Sequence, residues 1–447
     1  MNNSEISKNN KLFLNYVNSS NLKKKRIVYT KDSFNVQIKK HFSGSSPPEI
    51  FVGRYNYPYV NAGILSPTFF ENTEELSMPE IWHEQNFKIE DILIRRSKLI
   101  YGRFKTEIKR TNKFSQLMQE IAMSYKPVST EFFLKKPPKQ NLEISRFSSI
   151  IINLAPLENA RLGENPKINP KVEYLVSDTA VGAVSAINEL YKAKIPISSI
   201  NKILSAGLLG LKSKRKLVPT RWSITAIDDT ISKELLKKIK YYPVINEILL
   251  FNEEYLGNHY EILLLPGNFS FEVIEAEIKN NFGNTEKSKP LLLDSGLCKQ
   301  RLFSVPKNSN KSTPLGLSKS QEFFGLSNVK FWQDYEYFYG RKDYANEVIG
   351  AYYANRLALC EYLEKIKRQA TAIFFREVKP EYYLPLGVGI LREACRGAFS
   401  REPEKFNNLN EVFKKIQERL ILNVNLFKEK SVILKDYGSQ KKLVEWI

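Results

Sequence analysis

Cysteine is nearly absent from this 447-residue chain. Cys298, Cys360 and Cys395 form no C-x-x-C pair and leave an odd count, which argues against a disulfide framework and fits a reducing compartment. Histidine is as scarce. His41, His83 and His259 are too few and too scattered for a Cys/His zinc site. No run approaches the roughly 18 apolar residues that a membrane helix needs. The start, Met1-Asn-Asn-Ser-Glu5, lacks the apolar stretch of a secretory signal. The expectation is a soluble, cytoplasmic protein. Gly-x-x-x-x-Gly-Lys phosphate loops and Gly-x-Ser-x-Gly elbows are also missing, and no nucleophilic triad or internal repeat is readable.

Positive charge, in contrast, is abundant. Lys+Arg 68 against Asp+Glu 48 leaves a net +20, an excess that attracts polyanions, with nucleic acid the first candidate. A Lys-rich proteome would account for part of it. At 42% hydrophobic and 26% charged residues the chain is otherwise an ordinary globular one, long enough for two or three domains.

Residues 1–46 are Asn-, Ser- and Lys-rich, carry Lys23-Lys-Lys-Arg26 and read as a basic flexible arm. Residues 47–283 read as an α/β domain. Within it, 79–125 is mainly helical by its apolar spacing, with helices over Ile89 to Leu99 and Phe114 to Met123. Ser149 to Leu154 and Val172 to Val176 read as strands, and Asp178 as the cap of a helix running to about Lys192. Leu217 to Ile227 reads as a strand ending at Asp228-Asp229. Glu247–Phe251, Tyr260–Leu265 and Phe269–Val273 follow as short strands, which favours antiparallel pairing. Residues 284–327 read as a loop or insertion, and 328–430 as a mainly helical second domain. There, Asp343 to Phe375 carries the longest helical stripe, with Val388 to Phe399 and Asn410 to Phe427 after it. Residues 431–447 form a tail. The fold class expected is mixed α+β, largely helical, with a central mixed or antiparallel sheet.

Arginine recurs beside turns and strand ends: Arg54, Arg95, Arg96, Arg161, Arg221 and Arg341, with Arg376, Arg392 and Arg396 further on. A planar guanidinium suits bidentate phosphate contact, and Arg54 among Tyr55, Tyr57 and Tyr59 adds base-stacking surface. The first six are the candidate nucleic-acid contacts. The plainer reading of each one alone is a structural ion pair. Asp228, Asp229 and Glu272 are candidate catalytic carboxylates, because paired acids at a strand end can hold Mg²⁺. That metal enters only under a nuclease alternative, and Asp before a helix is more commonly a cap. No other cofactor is evident.

The last eight residues are Gln440-Lys-Lys-Leu-Val-Glu-Trp-Ile447. Leu443, Trp446 and Ile447 meet on one face of a helical turn, with the Gln440 amide three residues ahead. Tyr437-Gly-Ser439 before them is read as a break. An apolar plug, a polar latch and a tether make a helix-in-groove peptide. It resembles the box by which replication and repair proteins dock on the sliding clamp PCNA. The plainer reading is a terminal turn packed on its own domain.

Six blocks together resemble the archaeal Nre DNA repair family, of the NreA type. They are Val52-Gly-Arg-Tyr-Asn-Tyr-Pro-Tyr-Val60, Ala155-Pro-Leu-Glu-Asn-Ala-Arg161, Val218-Pro-Thr-Arg-Trp-Ser-Ile-Thr-Ala-Ile-Asp-Asp229, Leu265-Pro-Gly-Asn-Phe-Ser-Phe-Glu272, Gly350-Ala-Tyr-Tyr-Ala-Asn-Arg-Leu-Ala358 and Pro385-Leu-Gly-Val-Gly389. The resemblance implies a role in DNA damage tolerance and PCNA binding through the terminal box. It carries no catalytic assignment. Relatives often begin with a Cys-rich, zinc-finger-like segment, and residues 1–46 contain no Cys, so zinc is not carried over. The function expected is a clamp-recruited, DNA-binding repair factor. The alternatives are a metal-dependent nuclease or phosphodiesterase, and an RNA-binding protein.

Overall fold

A computed structural model describes residues 40–71, 73–143, 151–278, 329–384 and 386–439. The arm as far as residue 39, the 284–327 segment and the terminal box at 440–447 lie outside the described residues.

Two mixed sheets organise the chain. The first contains β1 (His41–Ser46), β2 (Ile50–Val52), β3 (Tyr59–Ser66), β4 (Ile100–Glu107), β5 (Val128–Leu134), β6 (Lys139–Glu143) and β7 (Ile151–Leu162). Its order is β1-β5-β7-β4-β3-β2, with β6 also paired to β7. Only β4 and β7 run parallel. The second contains β8 (Ile248–Tyr255), β9 (Asn258–Leu265), β10 (Ser270–Ile278), β11 (Val329–Glu336), β12 (Thr371–Val378) and β13 (Glu404–Phe406), in the order β11-β10-β12-β9-β8-β13. Strands from both halves of the sequence thus share this sheet, and the domain border expected at 284–327 falls between two of its neighbours, β10 and β11.

Twelve helices are described: α1 (Pro79–Glu84), α2 (Ile89–Ser97), α3 (Lys113–Met123), α4 (Pro170–Ser177), α5 (Ala183–Lys192), α6 (Ile197–Ser205), α7 (Thr220–Ile239), α8 (Gly350–Ile366), α9 (Val388–Ser400), α10 (Leu409–Arg419), α11 (Val424–Lys430) and α12 (Val432–Ser439). The mixed α+β class is therefore the observed one.

The second sheet is covered on both faces, as near-continuous apolar strands require. Phe251, Ile262, Leu264, Phe271 and Phe374 meet α8 and α9 on one side. Leu250, Leu263, Leu265, Ile274 and Phe375 meet α10 to α12 on the other. Helix α7 joins the two halves. Its Ile227 and Ile231 sit in the core of the first sheet, and its Leu236 and Ile239 in the core of the second.

Several expectations need correction. Residues His41–Ser46 are not part of a loose arm, because they pair antiparallel with Val128–Phe133. The stretch 79–125 contains a full strand, β4. Val172 to Val176 is helical, because Asn169 accepts from the Lys171 N–H at 2.9 Å and Pro170 opens the first turn. Asp178 caps a turn at Ala180 and Val181, and α5 begins later, at Ala183. Asp343 to Phe375 is not one helix. Lys367 adopts φ 54 and ends α8, and Thr371–Val378 is inserted between β9 and β10.

The main correction concerns 217–229, which holds the start of a 20-residue helix and not a strand. Its β-branched residues suggested the wrong period. Burial of Ser223, Ile227, Ile231 and Ile239 follows helical spacing. Nor is Tyr437-Gly-Ser439 a break, since α12 runs through it. The Glu272 carboxylate accepts from the amides of Val432 at 2.8 Å and Ile433 at 3.3 Å, and so caps the start of α12.

Candidate nucleic-acid interface

The outer face of α7 carries Lys233 and Lys237, and its C-cap is Lys240, at spacings of four and three residues that place them in one row. Opposite them the chain after β11 turns through Phe338, Tyr339, Gly340, Arg341 and Lys342. Between the two lies a cleft of about 640 Å³. Lys233, Lys237, Lys240, Arg341, Lys342 and Arg356 line it against Asp229, Glu336 and Asp343, so its charge is net positive. Tyr241 and Tyr339 are almost fully exposed at its walls, Tyr339 by 95%.

Its floor is a buried ion network. Arg356 of α8 donates to Glu336 at 3.0 Å, to Asp229 and to Ser232 at 3.1 Å. Burial works against the Arg356 charge, but Glu336, Tyr352 and Asp229 outweigh it and hold its pKa above the ordinary value. Lys233 reaches the second oxygen of Asp229 at 2.7 Å. The Arg356 guanidinium also lies 5.2 Å from the Tyr353 ring centre.

A second patch adjoins the cleft. In the loop after β2, Arg54 lies over the Tyr55 ring at 5.5 Å, and Tyr55 is 74% exposed. Tyr57 meets Trp222 of α7 with ring centres 5.4 Å apart. The Val52 N–H donates to Thr220 Oγ1 at 2.9 Å and fixes the loop to the start of α7. Gly63 lets β3 lie close on β4, where a Cβ would come within 2.2 Å of the Gly102 carbonyl. Arg221 has its pKa lowered by burial and then by the nearby Arg54 guanidinium, while Tyr344 and Tyr55 favour its charge. Tyr344 stands 4.7 Å from Tyr353, centre to centre, and lines the cleft. It is therefore the bridge between patch and cleft.

Of the six candidate arginines, Arg54, Arg221 and Arg341 belong to this surface. Arg341 also bonds Asp334 at 2.9 Å and the Tyr335 carbonyl at 3.0 Å, which positions the cleft wall. The other three sit elsewhere. Arg96 is 1% exposed and donates to Glu49 and to the Leu76 carbonyl. Arg95 pairs with Glu75 at 3.2 Å and covers the Phe87 ring at 3.7 Å. Arg161 lies on β7 beside Glu131 and the Phe133 ring. For these three the plainer reading, a structural ion pair, matches the geometry.

The candidate carboxylates do not converge. Asp228 is fully buried in α7 and accepts from Arg392 of α9 at 2.8 Å. Burial raises its pKa against the pull of Arg392. Asp229 belongs to the cleft floor. Glu272 lies on the second sheet, engaged with Ser431, Gln333 and the start of α12. Among the described residues no group of three or more His, Cys, Asp or Glu is placed to hold a metal.

Sequence reading missed Lys233, Lys237, Lys240, Tyr344 and Arg356. The lysine row would have stood out had α7 been read as a helix, because only a 3.6-residue period aligns it.

A two-sheet α+β protein with a basic, tyrosine-walled surface is the class that fold and site define. The family model for "Archaeal Nre, N-terminal" matches residues 23–282, and that for "Archaeal Nre, C-terminal" matches 336–446. The chain belongs to the archaeal Nre family. It is 32% identical to DNA repair protein NreB of Archaeoglobus fulgidus, over 92% of this chain and 93% of that protein. It is 30% identical to DNA repair protein NreA of Haloferax volcanii, over 87% of this chain and 86% of that one. NreA of Archaeoglobus fulgidus matches at 32% over 86% and 87%. These identities do not separate the NreA type from the NreB type. No solved structure matches the chain. No helix among the described residues is long and apolar enough to cross a membrane.

Proposed function

We propose that this chain is a DNA repair factor that holds DNA against the Arg54–Arg221–Tyr344 patch and the adjoining lysine cleft. The observation that carries this reading is the convergence of Arg54, Arg221 and Arg341 from three distant stretches, interleaved with exposed aromatics. Cations there neutralise phosphates, and the tyrosines and Trp222 offer faces for bases. The printed names of the relatives supply the repair context. Recruitment by the sliding clamp PCNA through Gln440, Leu443, Trp446 and Ile447 completes the reading, with the protein at the nucleoid. Its support is the terminal sequence pattern together with the position of α12, which is anchored to Glu272 and directly precedes the box.

Fluorescence anisotropy with labelled DNA tests the surface. The Arg54→Ala/Arg221→Ala double variant is expected to bind at least about ten-fold more weakly, with a shallower salt dependence. Unchanged affinity would overturn the surface assignment. Competition by RNA of matched length separates the RNA-binding alternative. A PCNA pull-down with the intact chain and one ending at residue 439 tests recruitment, and equal capture would remove the box from the account. The nuclease alternative requires divalent-metal-dependent cleavage that is lost in Asp229→Asn. The separation of Glu272 from Asp228 and Asp229 speaks against it.

A further inference from the structure

A small polar cavity lies where the first turns of α6, α7 and α9 meet. Its volume is about 70 Å³. Ser198 and Lys202 enter from α6, Thr220 from α7, and Gly387, Val388 and Arg392 from α9 and its cap. The three N-cap residues are Pro196, Pro219 and Gly387, and none supplies a side-chain cap to its helix. Proline and glycine have no side-chain acceptor to offer. In α6 and α7 the amides of Ser199 and Trp222 already donate to the Pro196 and Pro219 carbonyls, which leaves the earlier first-turn amides for the cavity, and each terminus carries partial positive charge. Gly387 has φ 98, a conformation natural to glycine, which lets the backbone of α9 begin against the cavity.

The side chains add a second, independent sign. Ser77 lines the cavity, is 6% exposed, and its Oγ has no hydrogen-bond partner. The buried Oγ of Ser198 has none either. Lys202 is 7% exposed; burial lowers its pKa, against the pull of Glu49, Glu80 and Glu74, which favour its charge. Arg392 closes one side, committed at Nη1 to Asp228. Glu49 is the carboxylate on the wall, and Arg96 engages one of its oxygens. Buried donors left without acceptors are costly, so a native cavity of this kind is filled by water or by an acceptor-rich ion. A tetrahedral oxyanion accepts from several directions at once, which matches donors arriving from three helices and two hydroxyls.

We propose that this cavity is a phosphoryl-binding site, in which the Lys202 ammonium, the Ser77 and Ser198 hydroxyls and the first-turn amides of α6, α7 and α9 hold one tetrahedral oxyanion. The phosphoryl group can be inorganic phosphate or the terminal phosphate of a nucleic-acid strand. The site is separate from the lysine cleft and does not rest on the reading given for it.

The test uses the full chain. Binding of inorganic phosphate is measured by calorimetry against chloride at equal ionic strength. Binding of short oligonucleotides with a 5′-phosphate or a 5′-hydroxyl is measured in parallel. Lys202→Met removes a buried charge at nearly constant volume and is expected to fold. Ser77→Ala/Ser198→Ala provides a second, milder variant. The expected result is that both variants weaken phosphate binding at least ten-fold, while Arg161→Ala, on β7 away from the cavity, leaves it unchanged. Should free phosphate bind poorly but the 5′-phosphorylated strand bind at least ten-fold tighter than its 5′-hydroxyl twin, and lose that preference in either variant, the site takes strand ends and the proposal stands. Phosphate or strand binding that neither variant alters would overturn it and leave the cavity to water.

Discussion

Arginine serves two opposite purposes in two regions of this molecule. On the outer surface, Arg54 and Arg221 stand beside exposed rings and close enough for one to depress the other's pKa. Inside, Arg392, Arg376 and Arg96 are buried, each against a carboxylate: Asp228, Glu275 and Glu49. Two like charges held side by side at a surface raise a positive potential that a polyanion relieves. A buried guanidinium survives only with its partner in place, because desolvation of an uncompensated charge is so unfavourable. The same residue type therefore marks recognition in one place and assembly in the other, and local sequence does not distinguish them.

Removing one side of an internal pair should give the largest effect. Arg392→Met strands Asp228, whose second oxygen already lacks a hydrogen bond. Loss of about 3–5 kcal/mol in denaturant-derived stability is expected. Asp228→Asn/Arg392→Met should recover much of it. A loss below about 1 kcal/mol for the single change would erase the contrast with the surface arginines.

Those surface arginines should behave in reverse. Arg54→Ala/Arg221→Ala is expected to weaken DNA binding at least about ten-fold, roughly 1.4 kcal/mol or more. Its unfolding midpoint should hardly change, since surface substitutions seldom exceed about 0.5 kcal/mol. A large stability loss without a binding loss would place these residues with the internal set.

The smallest effect concerns pH. Burial disfavours the His259 cation, yet hydrogen bonds to Glu254 and Glu261 outweigh it and raise its pKa to about 9. Burial raises Glu377 to about 7, against the amides of Leu422 and Ile421 that favour its charge. Both folded-state values lie above the ordinary ones of 6.5 and 4.5. The linked stability is thus full below those ordinary values and is lost as pH rises through 7 for Glu377 and through 9 for His259. Chemical denaturation between pH 6 and pH 9.5 should show stability falling as pH rises, less steeply in His259→Asn. A flat profile in the parent chain would contradict the assignment.

Much of the fold was legible where one period dominated. The apolar stripe of Lys113–Met123, the helix near Val388–Ser400 and the strands β8 to β10 all stand close to where the sequence places them. They are long or strongly patterned, and their neighbours reinforce the local preference. Thr220–Ile239 was misread because Ile224, Thr225 and Ile227 favour a strand locally, while burial against both sheets holds them in a helix. That single error turned Asp228-Asp229 from a buried pin and a cleft-floor anchor into an apparent metal pair.

By itself the sequence determined the family, the mixed α+β class and the cationic character, because composition and joint blocks of residues survive any folding detail. It also defined the terminal pattern at Gln440, Leu443, Trp446 and Ile447, a property of short-range spacing alone. Which arginines face outward was decided only in three dimensions. Arg54, Arg221 and Arg341 are brought together because Thr220 fastens the β2 loop to α7 and Tyr344 links that corner to the cleft. Arg96 and Arg392 are withdrawn because Glu49 and Asp228 meet them inside. Pairing of that kind depends on residues 47 and 164 positions apart, a separation no local pattern encodes.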